Sequence, residues 1–256
     1  MKTLQIAISF LTTLPPKYKG EWDEKAFSQA TIFYPLVGLF IGVVVAAVLW
    51  LFSHAYPLFA AFAGLLTAIL LTGGLHLDGY MDMCDGILAS RGPERAMEIM
   101  KDSRVGSFAV IGVVLLLLGK FTLYVWLLDT EFLISAILAA FAFSRFMMLY
   151  AIVSYPSARK TGLGYTVQQY VSKPALLWSL LLIVVLLVAS RALLLIPALI
   201  LSFFIMVVIS GKISLYLGGL TGDIYGAVAE IGEFVFLVSL LLCSSFFGNY
   251  IFSPLF

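Results

Sequence analysis

Seven stretches of this chain are long and apolar enough to cross a lipid bilayer, and that limits the fold more than any other feature. A spanning helix needs about 20 mostly apolar residues, because its backbone must satisfy its own hydrogen bonds where there is no water. The candidate spans are residues 30–52, 58–75, 105–128, 131–153, 174–190, 196–217 and 234–252. Their connections are short, and no long repeat or low-complexity linker divides the chain. Composition agrees. Of 256 residues, 62% are hydrophobic and 11% charged, whereas a soluble domain is about half apolar and about a quarter charged. The expectation is an all-α, polytopic integral membrane helix bundle of about seven transmembrane helices. Short amphipathic interfacial helices would join them in one membrane-embedded domain over residues 1–256.

Lysine and arginine set the orientation, because cytoplasmic loops hold them in excess. Lys2, Lys17, Lys19 and Lys25 precede the first span, Arg91, Arg95, Lys101 and Arg104 follow the second, and Arg159, Lys160 and Lys173 follow the fourth. The alternate loops hold none, or Arg191 alone. This places the N-terminus in the cytoplasm and the C-terminus outside, with every charge-rich segment on the cytoplasmic face. Lys212 is the only base at the inner end of span six. The opening "MKTLQIAISFLTTLPPKYKG" lacks a small-x-small cleavage site and reads as a retained segment at the membrane surface. A net charge of +1 gives no bulk attraction for nucleic acid. Cys84 and Cys243 have no metal or redox spacing.

The stretch "GGLHLDGYMDMCDG" sets Asp78, Asp82 and Asp85 at spacings of four and three. At about 100° per residue they fall within an arc of roughly 60° on a helix. A second set, Asp223, Glu230 and Glu233 in "GGLTGDIYGAVAEIGE", shares an arc of roughly 80°. A solvated helix face is the plain explanation for a charge run. It fits poorly here, because the flanking residues are apolar or glycine and no base stands four residues after any of the aspartates. Two carboxylates about 6 Å apart repel by roughly 2–3 kcal/mol at an effective dielectric near 20. A bound cation offsets that, and hard oxygen ligands suit Mg2+, with Mn2+ as the alternative. The neighbouring Gly79, Gly86, Gly222 and Gly226 serve close helix packing, room for a substrate, or both.

Between the acidic sets, "PERAMEIMKD" reads as a short amphipathic surface helix bracketed by Arg91, Lys101 and Arg104. These bases suit anionic lipid or a substrate phosphate, with Asp102 placed to orient one of them. Lys120 and Arg145 lie inside spans, where a charge is costly and is a functional candidate by default. Lys120 either snorkels or pairs within the bundle, and Arg145 is the stronger candidate for a role. His76 is a candidate ligand or phosphate contact; His54 lies on an outer loop.

Two acidic faces with nearby bases suit metal-assisted phosphoryl transfer, in which cations clamp a diphosphate and a carboxylate takes the proton of the attacking hydroxyl. Part of the pattern, "DMCDGILASR", resembles the head of the CDP-alcohol phosphotransferase signature, with one residue inserted before Arg91 and the acidic tail missing. Over nearly the whole chain, "FLTTLPP", "FYPLVGLFIG", "TGGLHLDGYMDMCDG", "EIMKDSRVGSF", "SARKTGLG" and "GGLTGDIYGAVAEIGE" resemble the cobalamin synthase family, the adenosylcobinamide-GDP ribazoletransferases.

The resemblance implies a Mg2+-dependent enzyme of a prokaryotic cytoplasmic (inner) membrane. It joins adenosylcobinamide-GDP to α-ribazole or its 5′-phosphate and releases GMP; self-association is left open. The resemblance makes the opening aspartates metal ligands, and the spacing adds the second set: Asp78, Asp82, Asp85 and Asp223 are the expected metal ligands, and Glu230 or Glu233, left free of metal, the base that activates the 5′-hydroxyl of α-ribazole. His76, Arg91, Lys101, Asp102, Arg104, Arg145 and Arg159 are the expected substrate contacts. Thr13, Lys160, Thr161, Leu215 and Tyr216 depart from the residues expected of the family at those positions. The competing readings are a CDP-alcohol phospholipid enzyme and an ion transporter. The missing signature tail opposes the first. The second would place its acids near mid-membrane, whereas these are expected at span ends.

Overall fold

The computed structural model describes residues 2–15, 18–20, 23–54, 56–89, 92–171, 174–190 and 195–251. The helices are α1 (Lys2–Leu11), α2 (Glu24–Gln29), α3 (Tyr34–Ser53), α4 (Pro57–Thr72), α5 (Leu75–Ala89), α6 (Pro93–Ile99), α7 (Ser107–Leu128), α8 (Leu133–Ser154), α9 (Leu163–Tyr170), α10 (Pro174–Ser190), α11 (Leu195–Leu217) and α12 (Gly222–Ile251). A 3-10 turn, Ala30–Phe33, joins α2 to α3. Among the described residues, five helices are long and apolar enough to cross a membrane unaided. Two bent pairs, α4 with α5 and α9 with α10, raise the number to as many as seven. The chain is a multi-pass, all-helical membrane bundle.

α8 is the central helix. Its buried side chains include Phe141, Phe143 and Met147, and it packs on α3, α10, α11 and α12. Trp50, Leu51, Leu115, Leu118 and Phe204 point outward, as expected where lipid is the solvent. α6 forms where the amphipathic surface helix is expected, with Pro93 in its first turn.

Two expected spans end differently. The span over 58–75 stops at Thr72. Gly73 and Gly74 then take φ of 64° and 74°, a left-handed backbone that suits residues without a Cβ, and α5 leaves at 92° to α4. The acidic "LHLDGYMDMCDG" therefore lies on a helix turned away from the preceding span. The last span, expected over 234–252, belongs to one helix that begins at Gly222. A hydropathy window stops at charges. The helix continues through Glu230 and Glu233 because both are neutralised inside the bundle.

α5 and α12 cross closely at Gly79, where a Cβ would run into the Asp223 backbone carbonyl. Gly79→Val is expected to cost about 1–3 kcal/mol through overpacking and to push Asp78 and Asp223 apart. A thermal midpoint in lipid nanodiscs equal to that of the wild type would show that the crossing has room to spare.

Candidate active site

α5, the 156–164 loop with α9, and the start of α12 enclose a cavity of about 260 Å³. His76, Asp78, Arg159, Tyr165, Thr221 and Asp223 are among its lining residues. Local hydrogen bonds explain how distant parts of the sequence meet there. The 156–158 strand-like loop is stapled to the segment before α12: the Leu220 N–H donates to the Pro156 carbonyl at 2.8 Å and the Ala158 N–H to the Leu220 carbonyl at 2.9 Å. The staple holds Arg159 Nη1 3.4 Å from Asp223 Oδ2. Thr221 caps the first turn of α12, accepting from the Ile224 N–H and donating to Asp223 Oδ2, both at 3.3 Å. The bend at Gly73–Gly74 aims the first turn of α5, with His76 and Asp78, at the same space. Asp82, one turn on, is not among the lining residues but feels the charges of Asp78, Asp223, Asp85 and Arg159.

Three nitrogens at this cavity are buried without a protein partner: Arg159 Nε, Arg159 Nη2 and His76 Nε2. An unsatisfied buried polar group costs about 1–3 kcal/mol. Donors left open beside a carboxylate rim suit an anion that arrives with its own cation, such as a diphosphate with Mg2+. Among the described residues, no three His, Cys, Asp or Glu side chains gather closely enough to hold a metal ion by themselves. Mg2+ does not need three. It commonly takes one or two carboxylates and fills its octahedron with water and substrate phosphate. Asp78 and Asp223, which line the cavity, suit that role, and Asp82 is not among the lining residues.

Asp85 does not join them. Its Oδ2 accepts from the Gly106 N–H at 2.6 Å and its Oδ1 from the Ala109 N–H at 2.8 Å. It thus caps the start of α7, which has no side-chain cap of its own. A carboxylate also suits the positive end of a helix dipole.

The second acidic set is divided as well. Glu230 and Glu233 are absent from the cavity lining and sit deeper in the bundle, roughly 10 and 15 Å along α12 from Asp223 at 1.5 Å per residue. Lys120 Nζ lies 2.6 Å from Glu230 Oε2 and 3.2 Å from Glu233 Oε1. Arg145 Nη1 stands 3.6 Å from Glu233 Oε2. The Tyr124 hydroxyl donates to Glu233 Oε1 at 3.0 Å. Two acids and two bases balance, all buried. The six carboxylates expected in one site are therefore divided among an open acidic rim, the Asp85 cap of α7 and a closed ion network. A helical wheel groups residues by angle and says nothing of depth. The acids are also not all at span ends, since Glu230 and Glu233 lie within the membrane segment of α12.

Of the expected substrate contacts, His76 and Arg159 line the cavity, and Lys101, Asp102, Arg104 and Arg145 do not. Lys101 and Arg104 follow α6 on the exposed side. Arg104 Nη2 pairs with Asp102 Oδ2 at 2.6 Å, and that guanidinium holds the Asp102 carboxyl down at about 2. Arg145 is buried behind His76. Arg91 lies outside the described residues. Tyr124, Tyr165 and Thr221 were not singled out from sequence, and nothing about an isolated Tyr or Thr marks it.

The comparisons bear directly on this arrangement. The model of the family described as cobalamin-5-phosphate synthase matches residues 3–241. A protein of Desulforamulus reducens named adenosylcobinamide-GDP ribazoletransferase is 40% identical, over 93% of this chain and 96% of its own length. One of the same name from Desulfitobacterium hafniense is 37% identical, again over 93% and 96%. Another from Klebsiella pneumoniae is 34% identical over 94% of this chain and 100% of its own. No solved structure matches the chain.

Proposed function

The chain belongs to the cobalamin-5-phosphate synthase family, and from that membership we propose that it joins adenosylcobinamide-GDP to α-ribazole or α-ribazole 5′-phosphate. GMP is released and adenosylcobalamin or its 5′-phosphate is formed, the last assembly step of the cobalamin nucleotide loop. The observation that carries the assignment to a site is the cavity lined by carboxylates Asp78 and Asp223 together with Arg159 and His76, whose Nε, Nη2 and Nε2 nitrogens lack a protein partner.

In this reading Arg159 and His76 bind diphosphate oxygens, and Asp78 and Asp223 would hold the cation, with the charge of Asp82 one turn along α5. Mg2+, or Mn2+ in its place, neutralises the diphosphate and eases departure of the leaving phosphate when bound. A ribose hydroxyl attacks the phosphorus on the cobinamide side, the bond to the bridging oxygen breaks, and GMP leaves with that oxygen. A cavity carboxylate takes the hydroxyl proton, because Glu230 and Glu233 are engaged with Lys120, Arg145 and Tyr124. The 5′-hydroxyl can be the nucleophile only in unphosphorylated α-ribazole. A product that keeps a 5′-phosphate requires another ribose hydroxyl.

The test is nucleotide release by the purified chain in nanodiscs. GMP should form only when adenosylcobinamide-GDP, a ribazole and a divalent cation are all present, and stop with excess EDTA. Release of GMP without a ribazole, or undiminished turnover in EDTA, would remove the transfer or the metal from the account.

The alternating Lys and Arg bias supports a cytoplasmic N-terminus, an external C-terminus and a cytoplasmic-face site in the inner membrane of a prokaryote. A reporter that functions only in the cytoplasm should be silent when fused to the C-terminus. A strong signal from that fusion would reverse the topology.

A further inference from the structure

Behind the cavity wall, His76 connects the substrate space to the buried ion network. Its side chain is 1% exposed. Its Nδ1 lies 3.4 Å from Arg145 Nη2, and its Nε2 has no protein partner. Arginine has only donors to offer. Nδ1 must therefore accept, and a neutral ring then carries its proton on Nε2. Arg145 cannot easily turn away. Its Nη1 donates to Ser144 Oγ at 2.8 Å and faces Glu233, and Glu233 is held in turn by Lys120 and Tyr124. Buried charges in a membrane bundle are costly to keep, and this set ends on a side chain that lines the cavity.

We propose that the Lys120–Glu233–Arg145 network is a positioning device that fixes His76 as an Nε2–H donor to a phosphate oxygen of the substrate. His76 is then a binding donor and not the base of the reaction. Lys120, Glu233 and Arg145 act through it without touching substrate. The inference rests on the reading that the cavity receives a phosphate-bearing substrate, but its first test needs no substrate.

The chain has two histidines, so a His54→Gln background leaves His76 alone for nitrogen-15 NMR of histidine-labelled protein in nanodiscs. The expected spectrum has a protonated Nε2 and a bare Nδ1. A protonated Nδ1 with a bare Nε2 would overturn the proposal. An Arg145→Met/Glu233→Gln double variant removes the donor to Nδ1 while keeping Lys120 and Glu230 balanced. It should show a mixed tautomer, and an unchanged spectrum would remove the network from the account.

Turnover gives the second arm. His76→Gln places an amide N–H near the Nε2 position and should stay within about tenfold of the wild type, whereas His76→Ala should lose about 100-fold or more in kcat, the usual effect of deleting one donor to a reacting phosphate or oxyanion. Equal loss in both variants would count against the donor role. Wild-type protein that shows the expected tautomer but releases no GMP would fail the functional reading and leave the positioning of His76 standing.

Discussion

Replacing Asp223 with Asn is expected to abolish turnover, by about a thousandfold or more, while the chain still folds. Losses of this size follow when a charge that organises a metal and phosphate site is removed. Asn keeps the size of the side chain and an oxygen for the Thr221 hydroxyl, which donates at 3.3 Å. It removes the negative charge that faces Arg159 at 3.4 Å. Asp82→Asn should behave in the same way. Asp85→Asn should not, although sequence alone groups Asp85 with the other aspartates. Its two oxygens accept from the Gly106 and Ala109 N–H groups, and Asn keeps one acceptor. The expected cost is that of a weakened helix cap, about 0.5–2 kcal/mol, with turnover largely kept. Single-turnover GMP release beside a thermal midpoint separates the two outcomes. An active Asp223→Asn enzyme, or a stable but dead Asp85→Asn enzyme, would reverse the assignment.

The second large effect concerns stability. Lys120→Met is expected to cost about 3–5 kcal/mol, because it leaves a buried acid without its partner. In the wild type Lys120 serves Glu230 at 2.6 Å and Glu233 at 3.2 Å. Adding Glu230→Gln restores the balance, with Arg145 still opposite Glu233, and should recover most of the lost stability. A buried ion pair is often close to break-even against neutral replacements, so the double variant should lie near the wild type. The comparison is folded yield and midpoint of the three proteins in the same lipid. A Lys120→Met single variant as stable as the wild type would mean that the network does not carry buried charge.

The bundle was legible because lipid imposes a long, simple pattern. A 20-residue apolar run has few alternatives, and α7, α8 and α11 match the expected spans closely. The misjudged boundaries have local causes. Gly73 and Gly74 turn the chain inside an apolar stretch, where hydropathy shows no break. Glu230 and Glu233 interrupt a hydropathy window but not the helix, because their partners come from α7 and α8. That pairing left a trace in the sequence. A lysine midway along an apolar span needs an acid at matching depth on another span, and Lys120 with Glu230 satisfies the condition. The aspartate-rich face of α5 was also legible, but not the division of labour along it. Whether an aspartate faces a cavity or caps a neighbouring helix depends on where α7 begins in space. Arg159 meets Asp223 only through the staple between residues 156–158 and Leu220, a long-range contact that spacing along the chain does not reveal.

The most direct measurement is a structure of the chain in nanodiscs with Mg2+, adenosylcobinamide-GDP and an unreactive ribazole analogue. The diphosphate should lie in the cavity between α5, α9 and α12. Asp78 and Asp223 should face the cation, Arg159 and His76 Nε2 should be within hydrogen-bond reach of phosphate oxygens, and Glu230 and Glu233 should remain paired with Lys120. A diphosphate bound against the exposed bases after α6, or a cation held by Glu230 and Glu233, would contradict the account.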